Sequence, residues 1–178
     1  VPLPLALALS RRATHHHHDH VLGIPQIRGV LGVDADALPA FADAPDALFD
    51  RLHDGCVLPP HGGEFKRLFP DIAERLEAAQ ASGAAYGKAD ATSDAAARSG
   101  AVVLFKGANT VIAHPDGRVR IHAATQDRAA PWLATAGAGD VLAGFITGLL
   151  ARGVDPLHAA VAATWLHVEC ARAFGPGL

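Results

Sequence analysis

Ala134-Thr135-Ala136-Gly137-Ala138-Gly139-Asp140-Val141-Leu142-Ala143-Gly144 decides how this chain is read. The small-residue turn Gly137-Ala138-Gly139 ends in an acid and runs into Val141, Leu142, Phe145, Ile146, Leu149 and Leu150, which recur at helical spacing. The turn therefore stands at a helix N-terminus, where unpaired N–H groups and the positive end of the helix dipole suit an oxyanion. Glycine lets the backbone approach such a ligand closely. Asp140 repels a phosphate unless it has a task there. One such task is to accept the proton of a hydroxyl attacking phosphorus. Without a ligand the same residues make a tight turn and a helix cap, and on this segment alone both readings stand.

Upstream, Ala101-Val102-Val103-Leu104-Phe105-Lys106-Gly107 reads as a buried strand ending in a Lys-Gly pair. Lys106-Gly107-Ala108-Asn109-Thr110 leads into a second short strand, Val111-Ile112-Ala113. Pro115-Asp116-Gly117 is a turn, with Pro presetting φ and Gly accepting positive φ, and Arg118 to His122 returns as the hairpin partner. Lysine is scarce, with only Lys66, Lys88 and Lys106 among 15 basic residues. Lys106 at a strand end is thus a candidate phosphate contact, its plain alternative being a solvated strand-end lysine. Val57-Leu58-Pro59-Pro60-His61-Gly62-Gly63-Glu64-Phe65 is another strand, a rigid loop and a helix start, and His61 either donates to a ligand or is solvated.

Helices are expected at Asp71 to Ser82, stopped by Ser82-Gly83, and at Thr92 to Arg98. Gly153 ends the helix that starts at Asp140, and Asp155-Pro156 supplies an N-cap and a first-turn proline. Along the last helix Val161, Trp165, Val168 and Cys170-Ala171 lie on or near the buried stripe, and His167 there reads as a satisfied core histidine rather than a ligand. Gly144 and Gly148, four apart, read as close packing of their helix on the sheet.

At 178 residues with half of them apolar, the chain can bury a sizeable core. Fifteen basic against 18 acidic residues give a net charge of −3, which argues against a nucleic-acid binder. Cys56 and Cys170 are too few for a disulfide framework, so a reduced, cytoplasmic protein is expected. Val1 to Leu9 is apolar but lacks a basic leader and is too short to span a bilayer, so no membrane association is expected. His15-His16-His17-His18-Asp19-His20 reads as a low-complexity or tag-like tract rather than a zinc site.

Four segments taken in order resemble the ADP-dependent NAD(P)H-hydrate dehydratases: Val33-Asp34-Ala35-Asp36-Ala37-Leu38, Pro60 to Phe65, Lys106 to Thr110, and Leu133 to Gly144. The helix from Asp155 through His167 is also similar. The resemblance implies an α/β, ribokinase-like layered fold with a mostly parallel central sheet flanked by helices. It covers residues 30–178, read as the C-terminal portion of such a domain. Residues 1–29 form an atypical segment expected to pack poorly, and the fold is expected to be incomplete at the N-terminus, with the chain stopping short at Gly175 to Leu178 as well. Pro59 stands where the family usually has Thr. Ala138 stands where Ser or Thr is common, which removes one hydroxyl donor from the anion loop. Asp34 and Asp36 either hold a metal through water or are ordinary turn residues.

What the resemblance implies chemically agrees with the physical reading. Asp140 would be the catalytic base and a substrate contact, deprotonating the C6 hydroxyl of a hydrated nicotinamide ring as it attacks the terminal phosphate of ADP, or of ATP. Ala136, Gly137 and Ala138, the anion loop, would stabilise the transferring phosphoryl group. Phosphate then leaves by elimination, restoring NADH or NADPH. Lys106, Gly107, Ala108, Asn109 and Thr110 would hold the nucleotide together with Gly139, and His61 would contact the hydrated dinucleotide. Mg²⁺ is expected with the nucleotide, without a readable ligand set. A homo-oligomer is expected, because a parallel sheet lacking its first strands exposes an unpaired edge, and a longer parent chain would carry an epimerase domain. Two rival readings use the same loop: a small-alcohol or vitamin-precursor kinase, and an inactive nucleotide-binding remnant.

Overall fold

The computed structural model describes Phe41 and residues 44–175. The Asp34 and Asp36 pair, the histidine tract and the whole 1–29 segment lie outside the described residues. A sheet of four strands runs in the order β1 (Val57–Leu58), β2 (Val102–Phe105), β3 (Asn109–Ala113), β4 (Val119–Ala123). β1 and β2 pair in parallel, while β2–β3 and β3–β4 are antiparallel. The hairpin turns at Gly117, whose φ is 92°, as the Pro-Asp-Gly motif requires. Among the described strands the parallel component is therefore one pairing of three, less than the mostly parallel sheet expected.

Short helix α1 (Pro45–Phe49) precedes the sheet, and α2 (Gly62–Leu68), α3 (Pro70–Ser82) and α4 (Lys88–Ser99) connect β1 to β2. The pleat sends alternate β2 residues to opposite faces. Val103 and Phe105 join Leu58, Phe65, Phe69, Ile72, Leu76 and Ala91, Ala95 and Ala96 of α4 in one core. Val102 and Leu104 join Val57, Ile112, Leu142, Ile146 and Leu157 in the other. The second core lies under α5 (Ala138–Ala151) and α6 (Pro156–Phe174).

Helix boundaries follow the sequence signals. Gly83 caps α3 in the left-handed conformation at φ 69°, and the Asp155 carboxylate accepts the His158 N–H at 3.2 Å ahead of Pro156. α5 opens two residues before Asp140, at Ala138. Three expectations for the last two helices need correction. Gly144 and Gly148 are exposed and a methyl added at either meets open space, so they do not mediate close packing on the sheet. Trp165 is 50% exposed and Cys170 is exposed, whereas Val168 is buried. α6 buries the stripe Leu157, Ala160, Ala163, Thr164, Val168, a narrower and smaller set than its large apolar residues suggested. On a helix mixing alanine with larger residues, periodicity alone fits two adjacent stripes, and alanine gives the closer approach.

Candidate functional site

Three loops converge where β1 and β2 end and α5 begins. The first follows β1. His61 caps α2: its Nδ1 accepts the N–H groups of Gly63 at 3.0 Å and Glu64 at 3.3 Å, while its own N–H donates to Glu64 Oε2 at 2.6 Å. This reciprocal box satisfies otherwise orphaned donors of the first turn. It also commits Nδ1 as an acceptor, which places the ring proton on Nε2, 3.4 Å from Glu64 Oε1. Glu64 is 3% exposed, a buried carboxylate at the base of the site.

The second loop follows β2. Lys106 donates its backbone N–H to the Pro60 carbonyl at 2.9 Å, tying the two loops together. Its ammonium lies 3.6 Å from Glu64 Oε2, and a methyl added to Gly139 would stand 3.4 Å from the same nitrogen. Lys106 thus bridges the buried carboxylate and the first turn of α5. Beyond it the backbone turns through Gly107 and Ala108. The Thr110 hydroxyl donates to the Gly107 carbonyl at 3.0 Å, and the Ala108 carbonyl accepts from Ala124 N at 2.8 Å. Gly107, Ala108 and Asn109 are exposed, while Thr110 is buried.

The third is the turn that opens α5. Gly137 adopts a left-handed φ of 86°, and its carbonyl accepts from Asp140 N at 3.1 Å and Val141 N at 3.3 Å, closing the first turn of α5. Ala136 and Gly137 are exposed, and Asp140 is exposed beside them. The Lys106 ammonium and the positive end of α5 therefore lie side by side, with an exposed carboxylate one residue away. Such an arrangement favours an anionic group at the helix start and leaves Asp140 free to take a proton.

Every site residue singled out from the sequence in the described region lies on one of these three loops, at the start of β3 (Asn109 and Thr110) or on the first turn of α5. Two further residues escaped sequence reasoning. Glu64 stood in the quoted motif as a helix-start acid, and its position three residues after a capping residue was the available signal. His167 is not a plain core histidine. It is half-buried, hydrogen-bonds the backbone of Ala138 and meets Phe145 edge-on at 6.4 Å between ring centroids. Burial lowers its pKa, the Ala138 bond works the other way, and the Lys106 charge adds to the lowering. No group of three or more His, Cys, Asp or Glu side chains converges into a metal cage among the described residues.

The sequence model of a family described as NAD(P)H-hydrate dehydratase matches residues 22–175. The chain is similar to the bifunctional NAD(P)H-hydrate repair enzyme Nnr of Gloeobacter violaceus, with 43% identity over 139 residues, covering 78% of this chain and 24% of that one. The chain spans about a quarter of the length of the curated relatives it matches. Among solved structures it is similar to the ADP/ATP-dependent NAD(P)H-hydrate dehydratase of Bacillus subtilis, co-crystallised with ATP and Mg²⁺. That match has 34% identity and a TM-score of 0.53, covering 67% of this chain and 39% of the other. A ribokinase-like superfamily protein of Enterococcus faecalis, 22% identical, superposes with a TM-score of 0.59 over 82% of this chain and 45% of its own, a likeness of fold.

Proposed function

The chain belongs to the NAD(P)H-hydrate dehydratase family, and on that premise we propose that it carries the nucleotide-dependent dehydration of hydrated NADH or NADPH. The observation that carries this reading is the convergence of Lys106, Gly139 and the start of α5, with Asp140 exposed at the same point. ADP or ATP is the co-substrate in this reading, by analogy with the Bacillus relative. Its adenosine monophosphate portion lies along Lys106 to Thr110 and Gly139, and its terminal phosphate faces the amides of Ala136, Gly137 and Ala138. Asp140 accepts the proton of the substrate C6 hydroxyl as its oxygen bonds to the terminal phosphorus, and the nucleotide leaves with one phosphate fewer. The C6–O bond then breaks with its electrons leaving on phosphate, and a C5 proton passes to the departing phosphate or to solvent as the C5=C6 double bond forms, restoring the dihydropyridine ring. His61 presents its Nε2 proton to the dinucleotide. Mg²⁺ would accompany the nucleotide and supply neutralisation of the phosphate charge.

The wider reading is also a proposal. The relatives are bifunctional, which supports a longer parent chain with an epimerase domain. Exposed Val141, Gly144 and Gly148 on α5 support self-association, which light scattering checks. No helix among the described residues is long and apolar enough to cross a membrane, and a cytoplasmic location accords with the substrate. The test is direct: incubate the chain with hydrated NADH and ADP and follow the absorbance of regenerated NADH. Recovery of NADH with release of phosphate supports the dehydratase. Accumulation of a stable phosphorylated alcohol points to a kinase, and an inert mixture overturns both.

A further inference from the structure

Resting on the nucleotide-site reading above, we propose that Lys88 is a positioning residue of that site, its ammonium clamping the Lys106–Asn109 turn into the shape that receives the nucleotide. Lys88 opens α4, whose first turn is fixed by the Asp90 carboxylate accepting from Gly87 N at 2.8 Å and by the Thr92 hydroxyl donating to the Lys88 carbonyl at 2.7 Å. From there its Nζ donates to the carbonyl of Lys106 at 3.0 Å and to that of Asn109 at 2.7 Å. These two carbonyls bracket Gly107 and Ala108, so one cation holds both ends of the turn. The ammonium also sits 4.2 Å from the centroid of the Phe105 ring, a cation–π contact. A methyl on Gly107 would come within 2.8 Å of Nζ. The glycine there is the space the ammonium needs.

The consequence for the turn is geometric. Across a trans peptide the carbonyl and the following N–H point to opposite sides, so a Lys106 carbonyl drawn toward Lys88 turns the Gly107 N–H away from α4. Lys106 itself is spared from this bracing and stays beside Glu64 and Gly139. The two lysines divide the work, Lys106 facing the anion and Lys88 shaping the backbone that carries it. Burial lowers the Lys88 pKa to about 8, consistent with a cation held by neutral dipoles and a ring rather than by a carboxylate.

Lys88→Met keeps an unbranched apolar side chain over Phe105 and removes every donor. Losing two bonds from a charged donor is expected to weaken ADP binding roughly 10- to 100-fold by calorimetry, and to raise the KM for ADP similarly with kcat little changed. Hydrogen exchange of the Gly107 and Ala108 amides quickens while the β3–β4 ladder beyond Asn109 stays protected. Lys88→Arg, which retains donors, recovers part of the affinity. Unchanged ADP affinity, a loss confined to kcat, or exchange that rises across the whole sheet overturns the proposal. If the wild-type chain regenerates no NADH or binds no ADP, the functional reading fails, and hydrogen exchange alone then decides. Quickening limited to the turn upholds the clamp, and unchanged exchange removes it.

Discussion

On one side of the sheet Phe65 stacks on Phe105 with ring centroids 4.1 Å apart, Phe69 tilts against Phe65 at 5.1 Å, and Phe49 stacks on Phe69. Leu58, Leu68 and Ile72 complete that layer, none more than 4% exposed. On the other side α5 runs for 14 residues and buries only Leu142 and Ile146, while Val141 is 53% exposed and Gly144 and Gly148 face open space. The packed layer anchors Glu64 and Lys88, which hold the site's backbone in place. The thinner layer supplies the Gly137 turn, Asp140 and His167. Stability and the proposed chemistry are thus drawn mainly from opposite faces of one sheet, and the difference between the faces is measurable.

The largest expected effect tests the chemical face. Asp140→Asn keeps the shape of the first turn and removes the base, so regeneration of NADH should fall roughly 10²- to 10⁴-fold with ADP affinity nearly unchanged. Near-normal turnover would leave Asp140 as no more than an acid in the first turn of α5. Gly139→Val extends the test to binding. A branched side chain placed against Lys106 Nζ should crowd the phosphates and weaken ADP in calorimetry while the protein stays folded. Unchanged affinity would break the anion-loop reading.

The structural face is next in size. Phe65→Ala removes a ring stacked on Phe105 and should cost about 3–5 kcal/mol in chemical denaturation. Val141→Ser on the other face should stay within about 0.5 kcal/mol. Similar losses at the two positions would mean that the layers are equally packed and the contrast is false.

Acidification separates the faces by pH. His122, opposite Thr110 on β4, buries both ring nitrogens without a hydrogen-bond partner among the described residues. Burial first, and then the Arg128 charge, hold its pKa below the usual 6.5, and His167 is lowered by burial as well. Above that value folded and unfolded chains both carry neutral rings. As the pH falls through it the unfolded chain binds protons first, so stability declines. On the packed side Arg98 holds the Asp71 carboxyl down at about 2 through a two-pronged contact at 2.6 and 2.7 Å. That pair contributes above the unfolded value of 3.8 and is lost only as the pH falls from there toward 2. Melting midpoints should therefore drop first between pH 7 and 5, an effect blunted in His122→Phe. Asp71→Asn at neutral pH, the smallest effect, should cost no more than about 1 kcal/mol because the pair is exposed.

Legibility followed the same division by range. Features written within a few residues were readable: the β2 apolar run, the Pro115-Asp116-Gly117 turn, the Gly83 stop and the Asp155-Pro156 cap. The turn that opens α5 at Gly137 was readable because glycines, an acid and a helical stripe adjoin. Lys88 was not, since its partners stand 18 and 21 residues away and nothing local to α4 marks a lysine as facing another loop. Gly144 and Gly148 misled because four-residue spacing says that two glycines share a face and does not say what the face meets. Trp165 misled likewise: a large apolar residue on an apolar helix was placed inside, while small Ala160 and Ala163 took the contact with the sheet.

The strand pairings carry a consequence for the order of assembly. β2, β3 and β4 are sequential neighbours and α5 folds against α6 across a short connection, so both units close only small loops. The β1–β2 pairing, by contrast, joins Val57 to Val102 across all of α2, α3 and α4. Chain entropy delays that contact until the helices between have shortened the path. The meander and the α5–α6 hairpin are thus the early pieces, and parallel pairing is the closing step. Because the Pro60 to Lys106 bond lies at the end of that last pairing, the corner where the three loops converge is expected to take shape last among the described elements and to loosen first when the sheet opens from β1.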